Sequence, residues 1–320
     1  MAGILVIAEA DEGALAPISG ELLGAARKLA GEGAGTVTAF VAGNEALGRE
    51  LIALGADAAI VGTNPALQGG LAEVYVPAVQ AALQQSGADI VLMGQTALGR
   101  DLGPLLAFAL NTAVSMETVD LKYEGGRLRA TRACYGGNAR AEVSFKNSVA
   151  IATLKAKSFD ALEPNASRSG SVTTSDVAGA ARVKVLGVQK AETTGVRLED
   201  APVVVAGGRG LGDPSGFKML EELAGLLKGA TAASRAACDL GWYPPSQQVG
   251  LTGKVVSPNL YIAVAISGAS QHMAGMAGSK NIVAINKDPD ANMVKVAKYA
   301  IIDDYKKVVP AIIEEIKKLS

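Results

Sequence analysis

The sequence is poor in cysteine, histidine and aromatic residues: 320 residues hold two cysteines, one histidine, and Phe, Trp and Tyr at 4% combined. Cys134 and Cys238 are far apart and outside any CxxC spacing, so neither a disulfide framework nor a cysteine-based zinc site is supported. Both read as small core residues. Charge of one sign is also missing, because 30 Lys and Arg meet 31 Asp and Glu for a net charge of -1. That excludes the basic footprint of a dedicated nucleic-acid binder. The apolar runs are strand-sized, such as Leu260 to Ile266, and fall short of the roughly 20 residues that a membrane-spanning helix needs. No membrane insertion is expected. Met1 to Ala8 runs directly into a strand, with neither a basic n-region nor an Arg-rich presequence, which points to a cytoplasmic protein of bacterial type.

What is present is hydrophobicity at 49% of residues, spread in short runs that suit buried sheets. The length predicts two domains. Apolar runs at 3 to 8, 36 to 41, 58 to 61 and 89 to 93 alternate with helix-compatible stretches at 18 to 29, 44 to 54, 72 to 86 and 100 to 110. This alternation predicts an α/β fold, a mainly parallel sheet flanked by helices. From 117 to 154 the runs shorten around Gly125-Gly126 and Gly136-Gly137 and predict a small antiparallel β section. Residues 159 to 189 shift toward Ser, Thr, Ala and Gly, with one weak strand at 183 to 188, and read as a linker-like crossing. The expected domains are 1–195 and 196–320, the second again a parallel sheet flanked by helices.

The second domain repeats one unit: apolar run, polar or glycine-rich loop, helix. Asp213-Pro214 is expected to start its first helix as cap and first residue. The loops read Gly207-Gly208-Arg209-Gly210, Ser234-Arg235, Gln248 to Gly253, Ser267 to His272, Asn286-Lys287-Asp288 and Asp303-Asp304. In parallel α/β sheets, ligands sit outside the carboxyl ends of the strands, so these loops can converge on one crevice. Neither GxGxxG nor GxxxxGK[ST] occurs, so an ordinary dinucleotide fingerprint and a P-loop are absent. Arg209 suits a pyrophosphate or a surface ion pair. Ser267 to Gln271 lets a phosphate approach a helix start. His272 is either structural or a donor or cation for a developing anion. Asn286 and Asp304 suit adenosine or ribityl contacts, or simple loop capping. A single histidine and no fingerprint argue against a freestanding nicotinamide-dependent dehydrogenase; a nonredox nucleotide-binding module is a further alternative.

Gly-Arg-Gly at 208–210, Ser-Arg-Ala-Ala-Cys-Asp at 234–239, Gln-Val-Gly-Leu-Thr-Gly at 248–253, Leu-Tyr-Ile-Ala-Val-Ala-Ile-Ser-Gly-Ala-Ser-Gln-His at 260–272 and Ala-Ile-Asn-Lys-Asp-Pro at 284–289 together resemble the electron transfer flavoprotein alpha-subunit family. Tyr135-Gly136-Gly137-Asn138 resembles that family's amino-terminal domain more loosely. The resemblance implies a C-terminal FAD-binding domain and a partner, the electron transfer flavoprotein beta subunit. It implies FAD contacts at Arg209, Ser234, Arg235, Gln248, Val249, Gly250, Thr252, Ser267, Gly268, Ala269, Gln271, His272, Asn286 and Asp304. Thr252 would then lie near flavin N5 and His272 near N1 and C2=O, with Arg235 by the ring. Ser267 and Gln271 would lie toward the phosphates or ribityl chain, and Asn286 and Asp304 toward adenosine. A donor near N1 and C2=O stabilises the negative charge that gathers there on one-electron reduction. The implied role is to carry electrons from dehydrogenases, such as the acyl-CoA dehydrogenases of fatty acid β-oxidation, to a quinone-reducing flavoprotein or another acceptor. The alternative is a subunit of a bifurcating, NADH-oxidising complex. Leu251 departs from the family pattern, which often has Gln there.

Overall fold

Every residue of the first strand, β1 (Gly3–Ile7), is buried, as in parallel strands covered by helices on both faces. The computed structural model describes residues 3–135, 139–187 and 196–319 and divides into two compact units, Met1–Val188 and Gln189–Ser320. The division falls slightly ahead of the expected boundary at 195/196. The expected crossing near 190, and Gly136 to Asn138 of the amino-terminal motif, lie outside the described residues.

In the first unit β1 leads through a two-strand hairpin, β2 (Ala10–Asp11) and β3 (Ala14–Leu15), to α1 (Pro17–Leu29). There follow β4 (Thr36–Ala42), α2 (Glu45–Ala53), β5 (Ala58–Gly62), α3 (Ala72–Ser86), β6 (Ile90–Gly94), α4 (Ala97–Ala109), β7 (Val114–Glu124), β8 (Arg127–Cys134), β9 (Ala139–Ser144), β10 (Ala150–Leu154) and β11 (Ser171–Ser175). One sheet takes them in the order β11-β5-β4-β1-β6-β10-β7-β8-β9. The two-residue period of β1 sends Ile4 and Val6 into a core with Leu22 and Leu29 of α1. Leu5 and Ile7 enter the opposite core with Val79 and Leu83 of α3.

Three expectations need correction here. The antiparallel section is β7, β8 and β9 only; β10 pairs in parallel with both β6 and β7, because its five buried residues suit a strand covered on both faces. Within the linker-like stretch, Ser171–Ser175 forms an edge strand parallel to β5. Its Ser and Thr residues conceal it, since an edge strand does not need a continuous apolar run. The expected strand at 183–188 has no counterpart among the described residues.

Between β10 and β11 the chain crosses α1. The fit is close: a Cβ on Gly24 would lie 2.0 Å from the Asp160 carbonyl oxygen. There the Glu21 carboxylate accepts the Lys157 backbone N–H at 2.6 Å. Burial raises the Glu21 carboxyl to about 7, and Asp160 adds to the rise, although the Lys157 N–H and charge oppose it. The fold therefore favours the protonated acid. Its contribution is full below the ordinary value of 4.5 and is lost as pH rises through 7. Glu21→Gln, which keeps a neutral acceptor, is expected to flatten this dependence and to raise stability at pH 8 by about 1 kcal/mol after allowance for solvent screening. Melting curves of the two proteins at pH 5 and pH 8 check it.

The second unit runs β12 (Val203–Gly207), α5 (Gly216–Leu226), β13 (Ala230–Ser234), α6 (Arg235–Asp239), β14 (Gln248–Val249), β15 (Leu260–Val264), α7 (Ser270–Ala274), β16 (Asn281–Asn286), α8 (Asn292–Val296), β17 (Tyr299–Ile302) and α9 (Tyr305–Leu319). The strands form one parallel sheet, β14-β13-β12-β15-β16-β17. Phe217, Leu220 and Leu223 of α5 pack with Val309 and Ile313 of α9 on one face. Tyr261, Met276 and Met293 occupy the other. Asp213 is not the cap of α5, which starts at Gly216 after Ser215. The Asp213 carboxylate instead accepts the Ser215 backbone N–H at 2.8 Å, the local turn typical of aspartate before a helix.

Candidate functional site

From β12 the chain moves outward to β13 and β14, and then returns to the other side of β12 as β15. The point where strand order reverses is where a doubly wound sheet opens a crevice. Close backbone packing builds it here. Ala265, just after β15, has φ 54, a left-handed conformation that costs a non-glycine residue about 1 kcal/mol. The Gly208 N–H donates to the Val264 carbonyl at 3.0 Å and the Gly210 N–H to the Ala265 carbonyl at 3.3 Å. A Cβ on Gly208 would lie 2.2 Å from the Ala265 oxygen, and one on Gly210 2.8 Å from it. These glycines thus serve strand-end packing, which brings Arg209 to the crevice.

The loop after β14 is held as firmly. The Leu251 N–H donates to the Gln271 carbonyl at 2.7 Å and the Lys254 N–H to the Gln248 carbonyl at 2.7 Å. Gly250 has φ 149, and a Cβ on Gly275 would lie 2.4 Å from its nitrogen. The Gln248 side-chain amide donates to the Thr252 hydroxyl at 3.0 Å. Because that oxygen accepts from Gln248, the Thr252 proton is left to donate elsewhere. Leu251 is 67% exposed beside it. The expected phosphate site at a helix start is modest in this structure: α7 spans five residues, too few for a strong helix dipole.

A cavity of about 690 Å³ lies across these carboxyl ends, within the usual range of ligand pockets. Of the expected residues, Arg209, Ser234, Arg235, Gln248, Val249, Gly250, Thr252, Ser267, Ala269, Gln271, His272 and Asn286 line it. Gly268 and Asp304 do not. Gly268, at φ 82, packs under α8, where a Cβ would meet the Met293 nitrogen at 2.4 Å. Asp304 holds Lys287 at 3.0 Å, and the Lys306 backbone N–H with that lysine keeps its carboxyl below the usual range. Asn286 is already engaged: its amide donates to the Ile266 carbonyl at 2.9 Å and accepts the Asp288 N–H at 3.1 Å.

The cations of the wall differ in availability. Arg235 leans on Asp239 at 3.4 Å and Lys287 on Asp304, whereas Arg209 has no ion-pair partner among the described residues and stands exposed. A free guanidinium on a wall of backbone turns suits an anionic ligand. Sequence reasoning missed the apolar lining of Ala265, Ile266 and Ile285, together with Tyr305. The first three end apolar strands and read as core. Tyr305 is buried and donates its hydroxyl to the Leu211 carbonyl at 2.8 Å; no local pattern signals that long-range contact.

His272 is 7% exposed. Its Nε2 lies 2.9 Å from the hydroxyl of Tyr261, a fully buried residue of β15. Its Nδ1 is buried and makes no hydrogen bond of ordinary geometry. Burial lowers the imidazole to about 4, although the nearby Val249 backbone favours a ring proton. The ring is neutral at pH 7, which narrows its expected role from donor or cation to donor. A buried polar atom without a well-formed hydrogen bond costs about 1–3 kcal/mol; the Val249 backbone offsets part of that, and a ligand acceptor would relieve the rest. This atom, the Arg209 guanidinium and the Thr252 hydroxyl, all from residues that line the cavity, fit FAD, whose pyrophosphate and ring carbonyls and nitrogens supply acceptors.

Comparison with known proteins agrees with the geometry. Residues 4–180 match the family described as Electron transfer flavoprotein domain, and residues 197–277 the Electron transfer flavoprotein FAD-binding domain. The electron transfer flavoprotein subunit alpha of Bacillus subtilis is 39% identical over 99% of this chain and 98% of its own length. That of Thermoanaerobacterium thermosaccharolyticum is 41% identical over the same shares, and Protein FixB of Clostridium saccharobutylicum is 38% identical over 99% and 97%. With full-length relatives at this identity and both domain families matched, the chain belongs to the electron transfer flavoprotein alpha-subunit family and binds FAD.

Proposed function

We propose that this chain, paired with a beta subunit, takes electrons from dehydrogenases, among them acyl-CoA dehydrogenases, and delivers them to a quinone-reducing flavoprotein. Bound FAD supplies a ring that gains and loses electrons one at a time. The chain's residues bind and tune it: Arg209 holds the pyrophosphate, Thr252 donates to the ring, His272 faces its N1 and C2=O side, and Arg235 stands beside it. Ser234, Ser267 and Gln271 support the phosphate and ribityl portion. Asn286 shapes the adenosine end through its turn, and Asp304 acts there through Lys287.

The observation that carries this reading is exposure at the rim. Leu251 is 67% exposed and Thr252 beside it is exposed as well, so a ring held against Thr252 has an edge within reach of a docked partner. A carrier needs that access, whereas a dehydrogenase acting on its own small substrate needs water excluded from the reacting atoms.

The test is co-expression with the beta subunit, desalting, flavin quantification and reduction assays. FAD is expected to survive desalting and to be reduced when an acyl-CoA dehydrogenase and its substrate are added. Direct reduction by NADH, with a second flavin per complex, would show the bifurcating alternative. Flavin that no dehydrogenase reduces would overturn the carrier role.

A further inference from the structure

Tyr261 is the second residue of β15, paired through the sheet with Val204 of β12 and Ile282 of β16, and none of its surface is exposed. A phenol in such a place needs a hydrogen-bonding partner, and the one seen is His272 Nε2, at 2.9 Å. The two rings meet edge to face, with centroids 6.2 Å apart. Burial pushes the phenol upward and the imidazole down, so at neutral pH the pair holds one O–H and one neutral ring. A neutral imidazole has one donor nitrogen and one acceptor nitrogen. If the Tyr261 O–H donates to Nε2, the ring proton sits on Nδ1, the buried nitrogen that has no hydrogen bond of ordinary geometry and for which the Val249 backbone is the protein acceptor at hand.

We propose that Tyr261 is a positioning residue for the flavin: its hydroxyl donates to His272 Nε2 and fixes the ring as the Nδ1–H tautomer, a standing donor for the flavin acceptor that His272 faces. A second-layer group sets a histidine's proton in this way wherever one nitrogen is given an acceptor role. A neutral donor suits this position because it strengthens its bond to the ring as negative charge gathers there, without needing a proton from solvent. The effect on the flavin rests on the FAD placement proposed above; the tautomer does not.

His272 is the only histidine of the chain, so 15N-histidine labelling of the full-length protein, purified without a histidine tag, gives a single imidazole to observe. The expected spectrum shows a protonated Nδ1 and an acceptor-type Nε2. Tyr261→Phe removes only the hydroxyl and is expected to release the bias, moving the proton toward Nε2 or into a mixture. In the flavin-loaded complex with the beta subunit, the same variant is expected to lower the first one-electron potential in the direction of His272→Ala. The double variant is expected to show no shift beyond His272→Ala alone. A proton on Nε2 in the native chain overturns the proposal, and this measurement decides it even if Tyr261→Phe does not fold. An unchanged tautomer in Tyr261→Phe also overturns it. A fixed Nδ1–H tautomer with no potential shift in either single variant overturns the effect on the flavin by removing the placement of FAD at His272, and leaves the Tyr261 contact standing.

Discussion

Alanine at Gly208 is expected to leave the purified complex largely without flavin. The added Cβ would sit 2.2 Å from the Ala265 carbonyl oxygen and 2.8 Å from its carbon, both backbone atoms that cannot rotate aside. Ala265 is fixed in turn by its own N–H, which donates to the Ile285 carbonyl at 2.8 Å, and by its left-handed backbone. The clash is relieved only if the ends of β12 and β15 separate at the crevice. Overpacking of this kind costs about 3 kcal/mol or more when backbone must move, and even half of that weakens binding about tenfold. The ratio of flavin to protein after desalting, with far-ultraviolet circular dichroism as a check on folding, measures the effect. Stoichiometric FAD and an unchanged melting temperature in Gly208→Ala would mean that the Ala265 turn yields freely and does not shape the site.

Gly99→Ala is expected to cripple the first unit and spare flavin binding in the second. Gly99 lies in the first turn of α4, where its N–H donates to the Thr96 cap at 3.1 Å. In an exposed helix alanine would gain about 1 kcal/mol over glycine. Here the Cβ would fall 1.8 Å from the Gly94 carbonyl oxygen, at the end of β6, so steric overlap outweighs propensity. A net loss of about 3 kcal/mol is expected as α4 is forced off the sheet. Calorimetry or limited proteolysis should show the Met1–Val188 unit opening at lower temperature, while flavin release from the second unit keeps its native midpoint. A higher melting temperature would mean that α4 shifts freely and that propensity governs the site.

The wall of the cavity in the second unit was readable in the sequence to the extent that its residues sit in polar loops after apolar runs. Arg209, Ser234, Arg235, Thr252 and Gln271 could be located that way because strand, loop and helix repeat with a fixed polarity, and parallel pairing gathers every such loop at one edge. Gly268 and Asp304 belong to the same loops and yet stand off the cavity. A loop's position says that its residues are near the site, and only the turn geometry says which of them face it.

Local pattern by itself determined the two α/β units, the position of most strands and helices, and the loops that bear the ligand chemistry, since hydrophobic period and glycine placement are properties of neighbouring residues. Tertiary structure alone decided matters of long-range contact. It placed β11 beside β5, more than a hundred residues earlier in the chain, and inserted β10 between β6 and β7. It also set the chemical state of the only histidine: burial makes His272 neutral, and Tyr261, eleven residues away on another element, occupies its Nε2. Charge state and tautomer depend on the solvent and the partner atoms around a group, and those are assembled only when the sheet closes over it.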